Sequence, residues 1–134
     1  MFNHFNQITF VTLTLLISSL IMFSLFSKST EVDINSDDFK KMLDKDRGVI
    51  IDVRTKNEYD QGHLKLTDAQ YDFLNGDFQK QIDSLDKDQT YYLYCRSGNR
   101  SGQAARLMQK EGFKNVYNIG GFEDLAGAGF ETNK

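Results

Sequence analysis

Residues 90–112 read TYYLYCRSGNRSGQAARLMQKEG, and the spacing of their apolar residues changes from that of a strand to that of a helix. Thr90–Tyr94 is a short, aromatic-rich run typical of a buried strand. Residues 101–111 repeat apolar side chains at helical spacing, and Gly112 is suited to end the helix. A strand that leads through a short loop into a helix is the building unit of α/β proteins.

The rest of the chain repeats this alternation. Two further runs of apolar residues predict strands at 49–53 and 115–119. Helices are predicted to begin near Ser36, Thr55, Phe78, Ser101 and Phe122, with Ser36 as a cap and Thr55 in a capping box with Glu58. We therefore predict an α/β fold whose central, mostly parallel sheet is flanked by helices and preceded by one hydrophobic N-terminal helix.

The residues that follow the predicted strands are the first place to look for a site. Binding sites of parallel sheets form at the carboxyl ends of the strands. Asp52 and Arg54 lie at the end of one strand, and Cys95 lies at the end of another. We therefore expect these side chains to meet at one edge of the sheet.

The loop after Cys95 combines small, polar and basic residues. Gly98 and Asn99 tolerate the left-handed conformation, so the loop can curl and aim successive N–H groups at one point. The N-terminus of the next helix adds free N–H groups and a positive dipole end. A cysteine at that focus is predicted to be a nucleophilic thiolate, with substrate contacts from Arg96, Ser97, Gly98, Asn99, Arg100 and Ser101.

Charge and composition narrow the possible partners. The chain has 134 residues, a net charge of −3 and an isoelectric point near 5.3, which disfavours a general nucleic-acid binder. Residues 89–110, however, contain four basic and no acidic side chains, so an anionic substrate is expected. One cysteine excludes an internal disulfide, and one cysteine with two histidines leaves too few ligands for a structural zinc site.

Residues 36–126 resemble the single-domain rhodanese family of sulfurtransferases. The resemblance rests on Asp52-Val53-Arg54, on Glu58-Tyr59-x-x-Gly62-His63-Leu64, on the loop 95–101, and on Gly112-Phe113 through Gly120-Gly121. Residues 65–69 read KLTDA, where the family usually has a turn of small residues, so the rim of the pocket differs there.

The resemblance implies a two-step transfer through Cys95. The thiolate takes the outer sulfur of a thiosulfate-like anion, and a thiol or cyanide then accepts that sulfur from the Cys95 persulfide. Asp52, Arg54 and His63 are expected to support the shape of the site, and neither a metal nor an organic cofactor is implied. A phosphatase of related fold would need five residues between cysteine and arginine, and Arg100 follows Cys95 after only four.

Two other functions stay open from the sequence. The domain could be a non-catalytic module of the same fold that binds a partner or an anion. It could also relay the persulfide to a partner protein, because a single cysteine cannot run an internal dithiol cycle. We expect a monomer in either case.

The N-terminal piece differs from the rest of the chain. Residues 1–27 carry no charged side chain, and residues 8–26 form an apolar run long enough to cross a bilayer as a helix. We expect 1–27 to be a transmembrane anchor or signal segment, 28–35 a polar spacer and 36–134 the rhodanese-like domain. Lysines after the run favour a single-pass anchor with a cytoplasmic domain, and cleavage of a signal peptide would instead place the domain outside the cytoplasm.

Overall fold

The computed structural model describes residues 31–134. The helices are α1 Ser36–Lys45, α2 Lys56–Gln61, α3 Asp77–Gln81, α4 Asn99–Lys110 and α5 Phe122–Gly127, and a 3-10 turn at Ile82–Ser84 follows α3. The strands are β1 Val49–Asp52, β2 His63–Leu64, β3 Ala69–Gln70, β4 Thr90–Cys95, β5 Asn115–Gly121 and β6 Thr132–Asn133.

Four strands form the central sheet in the order β3-β1-β4-β5, and every neighbouring pair is parallel. This confirms the predicted α/β fold with a parallel sheet between helices. A second, two-stranded sheet pairs β2 with β6 in antiparallel register. No sequence pattern predicts this sheet, because each of its strands has only two residues and the two strands lie far apart along the chain.

Strand β4 is the centre of the core, and all six of its residues are buried. Alternate side chains of a strand point to opposite faces of the sheet. Tyr91, Leu93 and Cys95 accordingly pack in one hydrophobic cluster, which also contains the inner face of α4. Tyr92 and Tyr94 pack in the other cluster, with residues of α1 and α5. The alternation therefore directs the sulfur of Cys95 toward the helix that follows it.

The helices begin close to the predicted residues. The capping box of Thr55 and Glu58 is present at the start of α2. The cap of α1 is Asn35 rather than Ser36, because the Asn35 side chain accepts the N–H of Asp38 and Ser36 is already helical. The helix predicted from Phe78 is a five-residue α-helix followed by the 3-10 turn.

The chain segment before α1 also joins the domain. Val32 is buried in the core, and Asp33 forms a parallel bridge with Asn118 of β5. The N–H of Asn118 donates to the carbonyl of Val32 at 2.7 Å, and the N–H of Ile34 donates to the carbonyl of Asn118 at 3.0 Å. Residues 32–34 therefore lie beside the β5 edge of the sheet.

The predicted location, a single-pass membrane protein, is corrected by the structure. No helix within residues 31–134 is both long and apolar enough to cross a bilayer. The longest of them, α4, has 12 residues and therefore rises about 18 Å, against roughly 30 Å of hydrocarbon. The apolar run 8–26 and the predicted N-terminal helix lie outside the described residues.

Candidate active site

Cys95 is the last residue of β4, and the loop after it leads directly into α4. Its side chain is fully buried. Gly98 ends the loop in the left-handed conformation, at φ 88°, and is the N-cap of α4. This backbone turn requires glycine in practice, since a side chain at such a φ is strained. It brings the first turn of α4 back over the sulfur.

Hydrogen-bond donors surround the sulfur of Cys95. The backbone N–H of Gly98 donates to Sγ at 3.1 Å, and the Ser101 hydroxyl lies 3.3 Å from Sγ. The backbone N–H groups of Ser97 and Ser101 also act on the sulfur. The loop therefore aims its amides inward, as an anion-binding nest does.

These donors decide the acidity of the thiol. Burial raises the pKa of Cys95, because it disfavours the charged thiolate. The hydrogen bonds from the Ser101 hydroxyl and from the N–H groups of Ser101, Ser97 and Gly98 act in the opposite direction and outweigh burial. The pKa of the Cys95 thiol consequently lies below its ordinary value, which favours a nucleophilic thiolate.

Asn118 of β5, which was not among the predicted site residues, hydrogen-bonds both to the loop after Cys95 and to the first turn of α4. Its side-chain N–H groups donate to the Gly98 carbonyl at 3.0 Å and to the Asp33 carboxylate at 2.6 Å. Its Oδ1 accepts the N–H of Gly120 at 3.2 Å and lies 2.6 Å from the Ser101 hydroxyl, whose single proton is shared between Oδ1 and the sulfur of Cys95. A buried asparagine within an apolar strand was the available signal for this role.

Arg100 forms an ion pair with Glu58 of α2. The two guanidinium nitrogens each lie 2.8 Å from a different carboxylate oxygen, which is the bidentate geometry. The hydrogen bond from Arg100 is the largest influence on Glu58 and lowers the pKa of that carboxyl to about 2. The Arg100 charge, which the sequence analysis assigned to substrate, is thus shared with a protein carboxylate.

Asp52 and Arg54 form a second bidentate pair, and it is buried. The Nε of Arg54 donates to both carboxylate oxygens of Asp52 at 3.0 Å. Its Nη2 donates to one Asp52 oxygen and to the Gly62 carbonyl, each at 2.6 Å. The guanidinium also lies 4.5 Å from the centre of the Phe122 ring. The pair therefore ties the end of β1 to the end of α2 and the start of α5.

His63 and Asn99, which the sequence also places at the site, have partners other than the sulfur. His63 stacks on the Tyr59 ring at 3.9 Å, and its ring nitrogens lie within hydrogen-bond distance of the Tyr59 carbonyl and of Asn133. The Asn99 side chain accepts a hydrogen bond from Gln103 on the exposed face of α4. His63 thus has structural partners, and Asn99 points its amide along the helix surface.

A cavity of about 420 Å³ opens beside the loop. It is bounded by residues that directly follow the strand ends, namely Arg96 after Cys95 and Phe122 after Gly121, and by the guanidinium of Arg54. Cys95 itself does not line this cavity. A molecule in the cavity can therefore reach the sulfur only when the loop or the side chains above it move.

The close approach of β5 to the loop yields a prediction. A Cβ atom on Gly121 would lie 2.5 Å from the backbone oxygen of Arg96, so Gly121→Ala must displace the start of the loop. We expect this variant to lose about 1–3 kcal/mol in the free energy of unfolding, as overpacked sites do. Gly127→Ala is the matched control, because a Cβ there meets nothing within 4 Å and alanine favours a helix. Equal urea-unfolding midpoints for the two variants would contradict the prediction.

The chain is similar to several known proteins. It is 35% identical over 88 residues to YrkF of Bacillus subtilis (strain 168), named as a sulfur carrier protein, and the match covers 65% of this chain and 46% of YrkF. It is 34% identical over 83 residues to the tRNA uridine(34) hydroxylase of Erwinia tasmaniensis, covering 60% of this chain and 24% of that protein. The chain thus spans less than half the length of these two relatives.

The fold comparison agrees with the sequence comparison. A solved structure described as rhodanese with anions from E. coli superposes with a TM-score of 0.55 and 29% identity, covering 64% of this chain and 96% of that one. The family model described as the Rhodanese-like domain matches residues 35–128. Because this match includes most of the chain, together with the whole Cys95 loop, the chain belongs to the rhodanese-like domain family.

Proposed function

We propose that the protein is a sulfurtransferase that moves a sulfane sulfur from a thiosulfate-like donor to a thiophilic acceptor through a persulfide on Cys95. The observation that carries this proposal is the ring of donors around the sulfur: the Gly98 amide at 3.1 Å and the Ser101 hydroxyl at 3.3 Å. The unit proposed to carry the activity is the rhodanese-like domain 36–134, with the segment 31–35 packed against it.

The first step transfers sulfur to the enzyme. The Cys95 thiolate attacks the outer sulfur of thiosulfate, a new S–S bond forms, and sulfite leaves with the electron pair of the broken bond. The product is a persulfide whose terminal sulfur is anionic. Inward-pointing N–H groups stabilise such an anion in the way that an oxyanion hole stabilises oxygen.

The second step returns the sulfur to solution. A cyanide ion or a thiolate attacks the terminal sulfur, and the electron pair of the persulfide bond returns to Cys95. In this proposal Ser97, Gly98 and Ser101 hold the sulfur and Arg96 attracts the anionic donor. Arg100, whose charge is paired with Glu58, holds the first turn of α4 in place. Asp52 and Arg54 fix the strand end, while His63 and Asn99 support the surrounding structure.

A second candidate is a relay that passes the persulfide sulfur to a partner protein. The similarity to YrkF favours it, since that relative is named as a sulfur carrier protein. The two candidates share the first step and differ only in the acceptor. A non-catalytic binding module, by contrast, would not form the Cys95 persulfide.

Mass spectrometry of the protein after treatment with thiosulfate tests the shared step. We expect the peptide that contains Cys95 to gain one sulfur atom, and cyanide to remove it as thiocyanate. Since the chain has one cysteine, the sulfur can form a persulfide at that position only. A protein that stays unmodified under these conditions would contradict the proposal and favour the binding module.

The Ser101 hydroxyl provides a further prediction. Ser101→Ala removes a donor to the sulfur, so we expect the pKa of Cys95 to rise. The rate of iodoacetamide alkylation against pH measures this shift. Ser97→Ala is the matched control, because Ser97 acts on the sulfur through its backbone N–H, which alanine retains. Identical profiles for the two variants would count against the role of the hydroxyl.

A further inference from the structure

The cavity beside the loop contains hydrogen-bond donors that the fold leaves unused. The side chain of Arg54 is 5% exposed, and its Nε and Nη2 donate to Asp52 and to the Gly62 carbonyl. Its Nη1 has no hydrogen-bond partner within residues 31–134. No fully buried side-chain nitrogen or oxygen in that range lacks a partner, so Nη1 must be accessible. Because Arg54 lines the cavity, its two free N–H donors are the ones that a molecule bound there could use.

Some of the charged side chains around the cavity are paired within the protein and others are not. Arg54 is paired with Asp52, and Glu58 is paired with Arg100, so neither pair contributes a net charge. The lining side chains without an ion pair in the described part of the chain are Arg96, Lys134 and Glu123. Arg96 and the unpartnered Nη1 of Arg54 thus supply donors for one negatively charged group of a ligand.

The size and walls of the cavity favour an organic ligand over a small inorganic anion. Its volume of about 420 Å³ lies within the range of roughly 300–1,000 Å³ that is common for small-molecule sites. The Phe122 ring provides an apolar wall beside the Arg54 guanidinium. A planar guanidinium with free N–H donors is well suited to a carboxylate.

We propose that this cavity binds the carboxylate of an organic acceptor thiol, held by the unpartnered Nη1 of Arg54 and by the unpaired guanidinium of Arg96. This inference rests on the proposed function, since it concerns the second transfer step. Because Cys95 does not line the cavity, the loop after it or the side chains that cover it must first move. The acceptor thiolate then attacks the terminal sulfur of the Cys95 persulfide and forms its own S–S bond. The old S–S bond breaks, its electron pair returns to Cys95 as a thiolate, and the acceptor leaves as a persulfide without any added oxidant or reductant.

A single-turnover experiment tests the proposal with two acceptors, one with a carboxylate and one in which a methyl ester replaces it. Protein loaded with sulfur from thiosulfate is freed of donor and mixed with 3-mercaptopropionate or with its methyl ester. The rate constants are corrected for the thiolate fraction of each acceptor. We expect the carboxylate to react about tenfold faster than the ester, as charge-assisted binding to an arginine predicts.

Substitutions of Arg96 and Arg54 test whether these two residues cause the faster reaction of the carboxylate. Arg96→Gln should reduce the ratio of the two rates several-fold. Arg54→Lys should do the same, because lysine keeps the charge beside Asp52 but removes the Nη1 donors. Lys110→Gln is the control, since Lys110 lies in the last turn of α4 and does not line the cavity. Both rates are measured on the same protein sample. Their ratio therefore does not change if part of the Arg54→Lys protein is unfolded.

A binding measurement separates this inference from the transfer reaction. 3-(Methylthio)propionate carries the carboxylate but no thiol. We expect it to shift the NMR amide signals of residues 96 and 122 in the wild type, and to shift them far less in Arg96→Gln. Equal rates with acid and ester, together with absent NMR shifts, would overturn the carboxylate site. Failure to load sulfur on Cys95 while those shifts persist would overturn the proposed function and leave the binding site standing.

Discussion

Cys95→Ser is expected to abolish sulfur transfer from thiosulfate to cyanide, with a fall in kcat of at least about 10³-fold. The hydroxyl of serine does not ionise near neutral pH and cannot form the persulfide on which both steps depend. Serine nevertheless fits the position, since it is slightly smaller and still accepts the hydrogen bonds from Gly98 and Ser101. Thiocyanate formation measures the loss, and mass spectrometry should show no added sulfur on the peptide that contains residue 95.

The variant must keep its fold for that result to be informative. Thermal unfolding of Cys95→Ser should remain close to that of the wild type, because the loop and its contact with Asn118 do not require sulfur. A folded Cys95→Ser protein that still produces thiocyanate would overturn the covalent mechanism. The chain contains no second cysteine that could replace Cys95 in it.

The sequence predicted those parts of the fold that depend on local patterns. The apolar runs at 49–53 and 115–119 locate β1 and β5 closely, and the capping box at Thr55 locates the start of α2. These features need only the preference of neighbouring residues, and parallel strands with helices between them follow from their order. The placement of Cys95 at a strand end is also a local property, visible in residues 90–98.

The sequence could not predict the partners that come from distant parts of the chain. Arg100 is followed by no acidic residue nearby, and its actual partner, Glu58, is 42 residues away. Asn118 contacts Ser101 and Asp33 across separations of 17 and 85 residues. Such pairs depend on the order of strands in the sheet, which no local pattern encodes.

These distant partners change the assignment of charge at the site. From the sequence, Arg96 and Arg100 are equivalent loop cations. In the structure Arg100 is 17% exposed and bound to Glu58, whereas Arg96 is exposed at the cavity and has no ion pair within residues 31–134. The charge free to attract an anion is therefore that of Arg96, and Arg100 holds the first turn of α4 against α2.

Glu58→Gln is expected to destabilise the domain at neutral pH and to remove part of its acid sensitivity. The hydrogen bond from Arg100 lowers the pKa of Glu58 from an ordinary value near 4.5 to about 2. A depressed carboxyl pKa stabilises the fold fully above the unfolded value, and this contribution is lost as the pH falls from 4.5 to 2. Allowing for partial solvent screening, we expect about 2 kcal/mol. Glutamine keeps the oxygen that accepts from Thr55 in the capping box, so the change acts mainly on the ion pair.

Urea unfolding of both proteins between pH 7 and pH 2 measures this difference. The gap in unfolding free energy should be largest above pH 4.5 and should close toward pH 2, where Glu58 is protonated in the wild type as well. Asp60→Asn on the same helix is the control, because Asp60 pairs with Lys56 on an exposed surface where such pairs contribute about 0.5 kcal/mol or less. A gap that stays constant with pH would show that Glu58 acts through packing rather than through its charge, and the pairing with Arg100 would then not be what holds α4 against α2.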